Sequence, residues 1–219
     1  MYEAIAAICA DPAAHGARVL VITGAGDKAF AAGTDISQFR SFTTPDDALA
    51  YEQRIERIVE TISRAPIPTI AAIAGAVTGG GAAIACACDL RIATASARFG
   101  FPIARTLGNC LSMKNYARLA GLIGAARVKD LIFTARLMDA EEGARIGLYS
   151  EILPDHAALM MRAQELARTI AGHAPLTLQV TKQALARIAD GLAGTDDDLI
   201  LTCYMSDDFR EGREAFLAK

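Results

Sequence analysis

The sequence predicts an α/β core followed by an all-helical region, and three observations carry that prediction. Short apolar runs rich in β-branched residues alternate with amphipathic helical patterns over roughly the first two thirds of the chain. Glycine-rich turns separate them. From Asp155 onward the remaining segments have helical spacing only, divided by Gly172/Pro175, Gly191/Gly194 and Ser206. Strands alternating with helices and then helices alone point to a core over residues 1–154 and a helical region over 155–219.

In chain order, "YEAIAAI" has helical spacing and stops near Pro12, and "ARVLVITG" is an apolar run ended by glycine, a buried strand. After the loop "AGDKAFAAGTDISQF" comes a charged amphipathic helix around residues 46–64, broken by "RAPIP". "TIAAIAG" is a second buried strand, the triple glycine 79–81 opens a short apolar helix, and "DLRIATASARFG" is a third strand-like run. Residues 113–134 are helical. A further helix follows with Asp139 as its N-cap and Gly147 at its end, and then a short strand.

Composition narrows the function classes. Of 219 residues 53% are hydrophobic, enough for a large core, and a net charge of -3 offers no basic face for nucleic acid. No apolar run reaches the length of a membrane span, and the first residues lack the pattern of a secretory signal. Five cysteines, an odd number, argue against a disulfide framework and for a reducing, cytoplasmic setting. Cys86 and Cys88 lie in an apolar helix and read as core. No His/Cys/Asp/Glu cluster has metal-ligand spacing, so no metal is expected.

Two glycine-bearing loops hold the chemistry. "TGAGDKA" (23–29) follows a strand as a dinucleotide fingerprint does, but no helix opens at its glycines. A helix does open at "GAVTGGGAAIACAC", and its first N–H groups lack intrahelical partners. Such an end can stabilise an oxyanion if a second donor converges on it. The alternative is a tight turn with close backbone packing.

The pair "GAGDKAFAAGTDI" and "IAAIAGAVTGGGAAIACACDLRIATASARFG", about forty-five residues apart, strongly resembles the crotonase superfamily, the enoyl-CoA hydratase/isomerase fold. "LIFTARLMDAEEGARIGLYSEILP" and the tail "FREGREAFLAK" extend the resemblance over nearly the whole chain. It implies a spiral of ββα turns with a C-terminal helical appendage and a thioester oxyanion hole. Its donors are the backbone N–H groups of Thr34 and Gly80. Backbone around Ala31, Ala32 and Thr34, beside Asp35, receives coenzyme A, which enters as part of the acyl-CoA substrate and not as a bound cofactor. A homo-trimer or hexamer is implied, with Phe216 and Lys219 reaching a neighbour's coenzyme A. The resemblance also implies two strands and an N-R-P-type turn ahead of the first helix, where this chain starts. Either the frame begins at an internal Met or this member lacks them.

One part of the pattern fails. The family's hydratases carry two glutamates, and their positions hold Ala83 and Ile103, or Ala104 if the alignment shifts by one. Neither side chain can move a proton. Polar residues on the next segment therefore become candidates: Arg105 for a substrate carboxylate or bicarbonate, Asn109, and Ser112. The structural alternatives are an ion pair for Arg105 and a helix cap for Ser112, while Cys110 reads as a buried small hydrophobe. The expected activity is an acyl-CoA lyase or isomerase that stabilises a thioester enolate, with plain hydration disfavoured. A non-catalytic acyl-CoA-binding or assembly subunit is the alternative.

Overall fold

The first three apolar strand runs of the core turn after four or five residues and continue as a second strand in a different sheet. The computed structural model describes residues 1–192, 194 and 196–218. After α1 (Tyr2–Ala10), β1 (Leu20–Thr23) is followed by β2 (Ala29–Ala31), and α2 (Pro45–Ser63) returns the chain. The next turn is β3 (Thr69–Ile73), β4 (Ala76–Thr78) and α3 (Gly80–Ala87). The third is β5 (Leu90–Thr94), β6 (Arg98–Gly100), α4 (Met113–Ile123) and α5 (Ala125–Thr134). Then β7 (Met138–Asp139), α6 (Ala140–Arg145) and β8 (Glu151–Leu153) close the core.

The first strands of these pairs form one parallel sheet in the order β1-β3-β5-β8, and the second strands form another, β2-β4-β6-β7. Only the β6–β7 pairing is antiparallel. Parallel neighbours cannot be joined by a hairpin, so each turn needs its helix. The result is the expected spiral of strand–strand–helix turns.

Strand β3 shows why the sheet is continuous and apolar. All five of its residues are buried, as a parallel strand covered on both faces requires. Ala71 and Ile73 join the main core with α2 and α3, while Ile70 and Ala72 pack with Ile92 against Leu159 and Ala163. Those last two lie on α7 (His156–Ala171). The first helix of the C-terminal region is therefore part of the sheet's covering, because the outer face of β3 and β5 needs an apolar partner.

Local chemistry sets the helix ends. Thr44 and Asp47 form a capping box on α2, Pro45 occupies its first position, and Ile55, Ile58, Val59 and Ile62 make its buried stripe. The C-terminal carbonyls of α3 are covered by Arg91, a buried side chain that donates to Cys88 O at 2.5 Å and to Leu148 O at 3.0 Å. Cys86 and Cys88 are buried, and burial pushes their thiols up to about 11 and about 12, so both stay protonated.

The structure departs from the sequence expectations at four places. The run 89–100 is two strands in different sheets, split by a turn at 95–97. The helix expected over 113–134 breaks at Gly124, whose φ of 83° is outside helical space. The 25–39 loop contains β2 and the start of a 3₁₀ turn over Ile36–Ser41. The turn ahead of Asp139 contains β7, too short for period-2 patterning to reveal. After Asp155, α7, α8 (Pro175–Ala189), α9 (Asp197–Tyr204) and α10 (Asp207–Leu217) follow with no strand among the described residues. Lys182 ties α8 to the core through Asp89 at 2.6 Å and Ile67 O at 2.9 Å. No helix among the described residues is long and apolar enough to cross a membrane.

Candidate active site

Pairing of β2 with β4 (Ala29 with Ala76, Ala31 with Val77) delivers the two glycine-bearing loops side by side at the ends of those strands. Thr78 Oγ1 donates to Ala32 O at 2.9 Å. A Cβ at Gly81 would sit 2.2 Å from Ala31 O, so only hydrogen lets the loops meet. At Gly80 a Cβ would lie 2.9 Å from Tyr2 Cε2 and 3.1 Å from the Tyr2 hydroxyl. The Thr34 hydroxyl shares a 2.7 Å hydrogen bond with the Tyr51 hydroxyl, leaving its backbone N–H as the group with no acceptor among the described residues. Gly80, the first residue of α3, has no intrahelical acceptor for its N–H either.

Both residues border a cavity of about 320 Å³, between the loops, α2 and the segment 102–111. Ala83 and Ile103 line it, whereas Ala104 does not. Ala83 and Ile103 thus face the same space, and both present apolar side chains to it. Phe39 and Tyr51 pack edge to face at 5.0 Å and also line the cavity.

The candidates from the sequence separate cleanly. Ala32, Thr34, Gly80 and Asn109 border the cavity, and Ala31 lies beneath Gly81. Asp35 accepts from Ser37 N at 2.9 Å, a backbone hydrogen bond that holds its carboxyl below its ordinary value. Its role in the structure is to cap the 3₁₀ turn. Ser112 lies off the cavity wall: its oxygen caps α4 by accepting from Asn115 N at 3.2 Å, and its hydroxyl engages Glu56. Arg105 is exposed, off the wall, and has no acidic partner among the described residues. Cys110 is exposed on the cavity wall instead of buried, because the segment after Ile103 runs over the surface. Phe216 is 78% exposed on α10, and Lys219 lies outside the described residues.

The structure adds four residues that sequence reasoning passed over: Tyr2, Tyr51, Glu52 and Glu56. Tyr2 has a buried hydroxyl with no partner among the described residues. Burial, with Tyr51 nearby, pushes it up to about 12. Glu52 lines the cavity. Burial raises its carboxyl above the ordinary value, and the charge of Glu56 one turn away adds to the rise. Glu56 Oε1 is buried without a partner among the described residues. A signal for the glutamates was present. Positions 52, 55, 56 and 59 share one face of α2, so both acids sit on its apolar stripe.

The whole chain, residues 1–219, matches the family model for enoyl-CoA hydratase/isomerase. The chain belongs to the enoyl-CoA hydratase/isomerase family. Among relatives of this family, the short-chain-enoyl-CoA hydratase of Clostridium acetobutylicum is 34% identical over 91% of this chain and 77% of its own. The crotonyl-CoA hydratase of Syntrophomonas wolfei is 32% identical over 99% of this chain and 83% of its own. Among solved structures, an enoyl-CoA hydratase/isomerase family protein from Hyphomonas neptunium superposes with a TM-score of 0.89 at 33% identity. That match covers 100% of this chain and 84% of the other. As an enoyl-CoA hydratase/isomerase family member, the protein is an acyl-CoA-processing enzyme with the crotonase-type fold.

Proposed function

We propose that this family member binds a short acyl-CoA thioester, stabilises its enolate with the N–H groups of Thr34 and Gly80, and relocates protons along the acyl chain in preference to adding water. The observation that supports this is the pairing of two acceptor-free N–H groups with a cavity wall that is apolar at Ala83 and Ile103. Oriented backbone donors at a developing oxyanion are worth roughly 10²–10³ in rate each. Each hydratase acid contributes roughly 10²–10⁴. Lacking both at their usual positions, the protein keeps the means to form an enolate and loses the pair that activates a water.

Coenzyme A enters with the substrate, its adenine end along Ala31 and Ala32, and no separate cofactor or metal takes part. The cavity is at the small end of ligand sites, which run roughly 300–1,000 Å³, in keeping with a short acyl group. A reducing, cytoplasmic setting fits five thiols without a disulfide among them.

A thioester panel tests the reading. Crotonyl-CoA hydration is expected at least tenfold below the roughly 10⁴–10⁸ M⁻¹s⁻¹ usual for enzymes, with a 3-enoyl-CoA converted to its conjugated isomer faster than crotonyl-CoA is hydrated. Efficient hydration overturns the preference, and binding without any turnover favours a non-catalytic subunit.

Self-association belongs to the same proposal. Leu185, Ile188, Leu201, Tyr204 and Phe216 on α8, α9 and α10, and Met205 just after α9, are each 56–78% exposed, a spread of apolar surface that a solvated monomer rarely carries. We place this region at the interface of a trimer or a pair of trimers, with Phe216 near a neighbour's coenzyme A. Sedimentation at micromolar concentration is expected to show a species at least three chains in mass; a stable monomer removes the idea.

A further inference from the structure

We propose that the carboxylate of Glu52 is the proton carrier of this cavity, taking a proton from C2 of a bound 3-enoyl thioester and returning it to C4. The inference rests on the reading of the cavity as the acyl-thioester site.

The choice follows from what the wall offers. Among the described residues lining the cavity, only Tyr51, Glu52 and Cys110 carry a titratable side chain. The Tyr51 hydroxyl is engaged by Thr34 at 2.7 Å. Cys110 is exposed at the segment that runs over the surface. Glu52 is the one carboxyl on the wall among the described residues, half-buried and without an ion pair. A solvated surface glutamate would be expected to point outward from α2. This one lies on the same face as Ile55, which is itself buried and lines the cavity.

The step balances without water or an oxidant. The C2–H bond breaks, its proton goes to a Glu52 carboxylate oxygen, and its electron pair enters the thioester as an enolate whose oxygen rests on the N–H groups of Thr34 and Gly80. The enolate then collapses, C2=C3 forms, and the C3=C4 π electrons take the proton back from Glu52 at C4. One carboxylate serves both transfers, which explains how a cavity without the two hydratase acids remains competent for isomerisation. A carboxyl raised above its ordinary value by burial and by Glu56 is better matched to this exchange than a free one, since both halves need a proton that is neither held nor released too firmly.

Glu56 is a positioning residue. It does not line the cavity; its carboxylate takes the Ser112 hydroxyl and places negative charge one helical turn from Glu52. The other groups around the pair are accounted for. Tyr2 of α1 adjoins Gly80. Arg54 on α2 donates to Gln38 at 2.7 Å. On α4, Arg118 bonds to Asn115 and Glu60, and Lys114 lies 3.8 Å from Glu60. Arg105, off the cavity wall, is exposed.

The test uses the full chain, 3-hexenoyl-CoA for turnover, and hydrogen–deuterium exchange at C2 of butyryl-CoA as a readout that needs no double bond. Glu52→Gln is expected to lower both rates by about 10²–10⁴-fold while thioester affinity stays within about threefold and the fold survives, because the change removes a partly buried charge. Glu56→Gln is expected to move the acidic midpoint of the pH–rate profile to lower pH, since the carboxylate of Glu52 must be ionised to take the proton and loses a neighbour that resists ionisation. Wild-type exchange that persists within fivefold in Glu52→Gln overturns the assignment of Glu52 and leaves the thioester site standing. Failure of the wild type to bind butyryl-CoA overturns the site itself, and the proposal with it.

Discussion

Gly80→Pro is expected to lower any enolate-forming turnover by about 10²–10³-fold, the loss that follows removal of one oxyanion donor. Proline at the first position of a helix removes an N–H that has no intrahelical partner and is tolerated by the helix itself. The substitution also adds a Cβ, which at this position would stand 2.9 Å from the ring of Tyr2. Steric and electronic effects therefore have to be separated. In a Tyr2→Ala background, Gly80→Ala keeps the N–H and relieves the contact, and its turnover is expected within about threefold of that background. Gly80→Pro in the same background should keep the full loss. Thr34→Ala completes the set: it retains the N–H and gives up the hydroxyl contact to Tyr51, at about 1 kcal/mol of stability and little rate. A well-folded Thr34→Ala protein with a rate loss above a hundredfold would mean that the side chain, and not the backbone, does the chemistry.

Ala83→Glu is expected to raise crotonyl-CoA hydration, by less than the roughly 10²–10⁴ of an evolved general base, because the new carboxylate lacks a tuned pKa and a partner across the water. The site is 4% exposed and on the cavity wall, so the carboxylate enters the space where the β-carbon of a bound enoyl group must lie if Thr34 and Gly80 hold the thioester oxygen. Ile103 is the position for the second acid, since it lines the cavity and Ala104 does not. Adding Ile103→Glu is expected to increase hydration more than additively, as two carboxylates that share one water act as a unit. Burying an acid in an apolar wall costs on the order of 1–3 kcal/mol even when it remains protonated, so thermal melts accompany the rates. Hydration unchanged in a well-folded double variant would show that the acyl chain does not pass between these two positions.

Much of this protein was legible in its sequence because the relevant signals are local. Period and composition identify β1, β3 and β5; Asp139 marks a helix start; and glycines at 79–81 mark a place of close backbone approach. The absence of acids at Ala83 and Ile103 is likewise a fact of residue type. Two kinds of feature depended on tertiary structure. Very short strands such as β2 and β7 have too few residues for a pattern, and exist because a neighbouring strand completes their hydrogen bonds. The cavity wall is the other. Whether a polar residue such as Ser112 caps a helix or faces substrate depends on how α4 meets α2, and that packing turned Ser112 to Glu56 and Asn115. Glu52 shows the converse. Its sequence neighbourhood is that of a charged surface helix, and only the approach of the 79–81 loop and the 102–111 segment encloses it. A side chain's type and helical face are written in the sequence, but its degree of desolvation is set by what packs over that face, and desolvation decides whether a carboxylate is a surface charge or a proton carrier.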